Sequence, residues 1–180
     1  MDNLILRHEA IENFYQIQHK ASLMKWLYWL FHKPQTLLPL SPILKYLQTH
    51  QRIPLGRQMV PLKQIVGSAQ RAADYDRQFR PFKEGARDRW VDIYLLNQTS
   101  GWQPIELIQV GNLYFVVDGH HRVSVARQNG LSFIEATVEA YPLPLTFAVD
   151  APLAAVKKQL RAYTSPQSQP TCQPTPCCSA

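Results

Sequence analysis

Cysteine is missing from almost the whole chain: Cys172, Cys177 and Cys178 all lie in the last nine of 180 residues. That excludes disulfides, cysteine zinc sites and a thiol nucleophile from the body of the protein, and makes a cytoplasmic protein the expectation. No run approaches the ~20 apolar residues of a spanning helix, so no transmembrane segment is expected. No secretory signal is expected either, because Met1-Asp2-Asn3 is acidic and polar where a basic and then apolar start is needed. Residues 3–33 hold neither Gly nor Pro, which predicts one long helix or two stacked ones, capped by Asp2 or Asn3 and ended by Pro34. Residues 164–180 carry no charge and are rich in Pro, Gln, Ser and Thr, the composition of a disordered tail. Cys177-Cys178-Ser179-Ala180 has the spacing of a prenylation box without its aliphatic middle residues, so a tail thiol of no defined role is expected.

What is present is concentrated in one stretch, Val116-Val117-Asp118-Gly119-His120-His121-Arg122-Val123. Leu113–Val117 is an apolar run that predicts a buried strand, and Val123–Asn129 predicts a short helix that Gly130 stops. Asp118-Gly119 is then the turn, where Gly119 lets the backbone approach a ligand closely. A helix start offers N–H groups and the positive end of a dipole to an anion. His120, His121 and Arg122 add side-chain donors at the same corner, since Arg can fork onto a phosphate and His can donate or carry a proton near neutral pH. Each residue alone also has a plainer reading: Asp118 as an N-cap, His121 as a packing residue, Arg122 as a solvated helix charge. Four polar residues between a buried strand and a helix favour the phosphate reading.

The stretch resembles the signature of the ParB/sulfiredoxin-like family, and the resemblance runs over about residues 52–141. Val60-Pro61-Leu62-Lys63-Gln64-Ile65 followed by Arg71 is similar to the opening strand and arginine turn of ParB N-terminal domains. Gly101-Trp102-Gln103-Pro104-Ile105 is similar to their G-x-x-Q-P-I segment, and Gly119, Arg122 and Ala126 keep their G-x-x-R-x-x-A spacing. The resemblance implies an α/β (α+β) fold: a small mixed sheet with a helical N-terminal extension over 1–51, the domain over 52–163 and the tail over 164–180. It also implies a nucleotide phosphate at the corner, a nucleoside triphosphate such as ATP or CTP, with Mg²⁺ if there is turnover. Gly119, His120, His121, Arg122 and Arg71 would hold it, and Asp118 and His120 would be the catalytic pair of a phosphotransferase or phosphohydrolase. The departures limit this. His120 stands where sulfiredoxins carry their catalytic cysteine, His120-His121 stands where partition ParB proteins carry Glu-Arg, and too little chain follows for their helix-turn-helix domain.

Charge gives the other reading. Residues 52–89 hold nine Lys and Arg against four acids, +5 of a net +6, which suits a DNA-binding or partition-like module, or a ParB-like nuclease, as well as a solvated loop. Asp74-Tyr75-Asp76-Arg77 carries two acids expected to balance Arg71 and Arg77, and no metal site is expected. In the N-terminal helix, Leu23–Phe31 is apolar all round except Lys25, and is expected to pack on the domain, with Trp26 buried. The other reading of that helix is a membrane surface, a docked partner or a homo-oligomer. Elsewhere the pattern predicts a helix over 43–51, extended chain over 52–66 with a turn or bulge at Gly56 and Pro61, and a helix over 86–97 with Trp90, Val91, Tyr94 and Leu95 inward. Strands are predicted over 104–110, 133–139 and 145–149, with a Gly111-Asn112 hairpin turn. A last helix should follow Asp150, burying Leu153, Val156, Leu160 and Tyr163.

Overall fold

The apolar alternation of the middle of the chain becomes a sheet in the computed structural model, which describes residues 2–30, 36–47 and 51–165. In chain order the elements are α1 (Asp2–Leu30), β1 (Leu38–Pro39), α2 (Ser41–Leu44), β2 (Ile53–Pro61), β3 (Ile65–Ser68), α3 (Arg87–Thr99), β4 (Ile105–Val110), β5 (Leu113–Asp118), α4 (His120–Gln128), β6 (Phe133–Tyr141) and α5 (Leu153–Thr164). The six strands form one mixed sheet in the order β1-β3-β5-β4-β6-β2. β5 is parallel to β3 and antiparallel to β4, and Val110 pairs with Leu113 across the Gly111-Asn112 turn. β4 runs parallel to β6, and β6 pairs antiparallel with β2. The fold is therefore the mixed α/β arrangement expected.

Period-two alternation sorts the strand residues between two cores. Tyr114 and Val116 of β5 face one side with Ile105 and Leu107 of β4, under Val123 and Ala126 of α4. Leu113 and Phe115 face the other with Ile108 and Val110, under Val156 and Leu160 of α5 and Ile43 of α2. A third cluster stacks a second helical layer on α4: Ala10, Phe14 and Ile17 of α1 meet Trp90, Val91 and Tyr94 of α3 and Val125 of α4. The described part of residues 1–51 therefore contributes to the same body, since β1 also adds an edge strand beside β3.

Several expectations change. Trp26 is 57% exposed, with Leu23 and Leu30 also outside, because the buried stripe of α1 is Ala10, Phe14, Ile17 and Ala21. Residues 145–149 form no strand; Asn112 takes both polar groups of the Phe147 backbone, accepting its N–H at 2.7 Å and donating to its carbonyl at 3.0 Å. The helix expected from residue 43 is only the short α2, and positions 48–50 lie outside the described residues. Pro152, not Asp150, stands at the N-cap of α5, and no side chain caps it. Most important for the site, α4 begins at His120 rather than Val123, with Gly119 as its cap. Pro34 and residues 166–180, with the tail cysteines, lie outside the described residues. No helix among the described residues is long and apolar enough to cross a membrane.

Candidate functional site at the start of α4

β5 delivers its last residue, Asp118, to the rim of the sheet, and the chain turns into α4 through Gly119 at φ +99°. A Cβ at Gly119 would run into the Ile105 side chain. The close approach expected of this glycine is thus made first to β4, and left-handed φ makes any other residue strained there as well. No side chain caps the helix start.

The four polar residues of the corner then point in different directions. Arg122 turns toward the chain leading into β4: Nη1 donates to the carbonyls of Gln103 (2.6 Å) and Pro104 (2.9 Å), and Nη2 to the Asp118 carboxylate. Its side chain is 14% exposed while Asp118 is 68% exposed. The guanidinium expected to fork onto phosphate is already engaged by two backbone carbonyls and a carboxylate of its own protein. Asp118, expected as half of the catalytic pair, is its ion-pair partner.

His120 turns inward. Its Nε2 lies 2.7 Å from Ser68 Oγ at the end of β3, and its ring stacks on Tyr75 at 5.6 Å. Ser68 Oγ also accepts the backbone N–H of Arg71 at 2.8 Å and that of Gln70 at 3.3 Å. With both N–H groups on its lone pairs, the hydroxyl has its proton left to give, so Ser68 donates to Nε2 and the proton of the neutral ring sits on Nδ1. Burial, helped by the Arg71 and His121 charges, pushes the His120 pKa down to about 4. His120 is 5% exposed, so it supports the site from behind rather than lining it.

Of the four, His121 lines a cleft. Arg71, Asp74, Tyr75, Lys83 and His121 line a space of about 290 Å³, with Pro81, Gly85 and Ala86 completing the lining. His121 Nδ1 lies 3.5 Å from the Tyr75 hydroxyl. Burial pushes its pKa down to about 4 as well, with the Arg71 and Arg89 charges adding to the effect. Asp74 sits between the two cations, taking Arg71 Nε on Oδ2 at 3.0 Å and Lys83 Nζ on Oδ1 at 2.9 Å. Those two cations hold its carboxyl below the usual carboxylate range. The second acid of the segment, Asp76, pairs with Arg80 rather than Arg77.

The expected site residues thus divide. Arg71 and His121 share the cleft, His120 stands behind it, and Asp118 with Arg122 faces the chain before β4. Ser68, Tyr75 and Lys83 were not foreseen. Ser68 had a readable signal, since a Ser three residues before Arg71 is the spacing of a hydroxyl-capped turn. Lys83 had none, because a tertiary contact brings it in. Among the described residues no three His, Cys, Asp or Glu side chains gather as a metal site. Each oxygen of Asp74 already accepts from a cation, so Mg²⁺ on that carboxylate would compete with Arg71 and Lys83 for it.

No family model matches this chain, and a search of curated proteins returns no match. Among solved structures the chain is similar to sulfiredoxin from Arabidopsis thaliana, at 22% identity and a TM-score of 0.35, over 46% of this chain and 82% of that one. At that score the likeness transfers nothing to this protein; the mixed α/β fold rests on the sheet itself.

Proposed function

We propose that the protein binds the phosphate end of a nucleotide in the cleft beside His121. The observation that carries the reading is the convergence of Arg71, Lys83 and His121 on one open space at a helix start that no side chain caps. Arg71 offers a planar fork and Lys83 a mobile point charge, and the α4 N-terminus adds the positive end of its dipole. An arriving phosphate competes with Asp74 for the same two cations, so Asp74 selects for ligands of higher charge than a single carboxylate. A space of about 290 Å³ is at the lower end for small-molecule sites, which suits phosphates with the rest of the nucleotide outside. His121 is neutral near pH 7 and would gain a proton as the anion arrives, because a negative charge favours the imidazolium. Any phosphoryl transfer or hydrolysis would then use His121, not Asp118 or His120, as the group that touches phosphate.

The DNA reading has less behind it. Arg52 precedes β2 and Arg57 lies on it, at one edge of the sheet, and Arg71 follows β3 near the other, four strand spacings or roughly 19 Å away. Arg52, Arg80 and Arg87 are also tied to Glu139, Asp76 and Asp88.

Thermal melting with ATP, ADP, CTP, GTP and pyrophosphate, each with and without Mg²⁺, tests the proposal. A ligand at ~100 times its dissociation constant should stabilise the parent by about 2.7 kcal/mol. Arg71→Gln and Lys83→Gln should each lose most of that gain. A panel with no stabilising member, or a gain that survives in the double variant, removes the proposal.

A further inference from the structure

A second cleft opens about one to two turns further along α4. Lys20 of α1, Gln78 and Arg80 of the turn after Tyr75, and Ser124, Arg127 and Gln128 of α4 line a space of about 280 Å³. It shares no lining residue with the cleft beside His121.

The two clefts are balanced differently. In the first, Asp74 is part of the lining and takes both cations. In the second, three cations line the space and no carboxylate does. Asp76, the acid paired with Arg80, is 1% exposed and its Oδ1 is spent on the turn, accepting the backbone N–H groups of Gln78 (2.8 Å) and Arg80 (2.9 Å). Its Oδ2 lies 3.3 Å from Arg80 Nε. One carboxylate against three cations leaves a surplus of positive charge on the cleft.

Arg127 carries that surplus into the interior. Its Nη2 donates to the carbonyls of Leu62 and Ile65, both at 2.8 Å, and its Nη1 to the Arg77 carbonyl and Gln78 Oε1, both at 3.2 Å. The guanidinium lies 5.1 Å over the Phe79 ring, and its Nε–H is buried without an acceptor. Every acceptor it has is neutral. Burial pushes its pKa down to about 10, with Asp76 as the opposing charge. A cation held among neutral groups in a poorly solvated place gains from an anion brought beside it. The wall also holds donors for that anion. Ser124 Oγ accepts the Trp90 indole N–H at 3.0 Å, which leaves its own proton to give. Gln78 spends its oxygen on Arg127 and keeps its NH₂. Lys20 stands at the exposed mouth.

We infer that this cleft is a second anion site, taking a small dianion such as orthophosphate or the head group of a phosphomonoester. Lys20 and Arg80 contact the oxygens, Ser124 donates from the floor, and Arg127 supplies charge from behind.

Orthophosphate titrated into the isotope-labelled full chain at neutral pH and low salt tests this by amide NMR. The expected result is a saturable shift of the Gln78, Ser124 and Gln128 amides. Lys20→Gln should weaken it about tenfold, the scale of one charge-assisted contact, with the melting temperature unchanged because Lys20 is exposed. Gln128→Glu places a carboxylate beside Arg127 and should abolish the response. Arg71→Gln should leave it intact, so failure of the first cleft and failure of this one are read separately. Equal responses in the parent and Lys20→Gln, shifts that rise linearly without saturating, or saturation only around Arg71 and His121 would each overturn the assignment.

Discussion

Asp118 and Arg122 form one arm of the corner after β5, His120 and His121 the other, and the two arms are built on opposite principles. The arginine arm is closed: its donors end on the Gln103 and Pro104 carbonyls and on Asp118, so it ties α4 to the chain before β4. The histidine arm is held neutral by burial, one ring against Ser68 and one facing the cleft. Residues in a row at a helix start diverge by about 100° each, so adjacency in sequence does not make one site. The residue with the strongest claim as a phosphate clamp holds two backbone carbonyls and Asp118, and Lys83, which had no claim, lines the cleft.

pH separates the arms most sharply. Burial holds the pKa of both histidines down to about 4, against the ordinary 6.5 of an imidazole in water. Between those values the unfolded chain takes up protons that the native state refuses. Their stabilisation is therefore complete above pH 6.5 and lost as pH falls toward 4, at about 1.4 kcal/mol per pH unit for each ring. Allowing for their residual exposure, the two together should cost the fold about 5 kcal/mol over that window. Urea melts at stepped pH measure it, and His121→Gln should remove close to half of the slope. A flat stability between those pH values would mean that neither ring is held neutral, and the contrast between the arms would vanish.

Arg122→Ala tests the other arm. It leaves two backbone carbonyls and Asp118 without their shared donor, and hydrogen bonds to charged groups are worth about 1.5–3 kcal/mol each. Asp118 is exposed and regains water, so the expected loss is about 3 kcal/mol rather than the full sum. Arg122→Lys should recover little, because an ammonium cannot span both carbonyls with the planar fork. In nucleotide titrations at a temperature where the variant is folded, affinity should stay within about threefold of the parent. A melting temperature unchanged beside a large loss of affinity would reverse the assignment and return Arg122 to the phosphate.

How much of this was legible follows from how local each feature is. An apolar run placed β5, the segment after Pro104 placed β4, alternation placed β6, and Gly111-Asn112 placed the hairpin, because strands and turns are written in neighbouring residues. The start of α4 was read three residues late, since Gly119 in the left-handed region, not a polar side chain, makes the cap. Trp26 was expected in the core because the sequence shows how apolar a helix is and not which of its faces meets the body. Five residues past Ala21, Trp26 lies about 140° around α1 from the stripe of Ala10, Phe14, Ile17 and Ala21. The cleft itself was half legible. Arg71 and His121 came from motif and position, whereas Tyr75 and Lys83 arrive through the 72–86 segment folding back over α4, which no spacing encodes.

The smallest effect concerns Ser68, and it decides what kind of histidine His120 is. Ser68→Ala removes one oxygen that accepts two backbone N–H groups and donates to Nε2. The groups left behind are partly buried, and orphaning them should cost about 1–2 kcal/mol, less than either effect above. The diagnostic result is the proton's position. In the parent, long-range ¹⁵N spectra should show the Nδ1–H tautomer of His120, because Ser68 has only its own proton to offer and needs Nε2 as acceptor. In Ser68→Ala that preference should weaken and the His120 pKa should rise from about 4, since a hydrogen bond accepted by the neutral ring stabilises the neutral form. An Nε2–H tautomer in the parent would mean that His120 donates to Ser68. The serine would then have to turn its proton away, the Gln70 and Arg71 N–H groups would compete with the ring for one oxygen, and the link from β3 through His120 to the cleft would be a strained contact instead of a support.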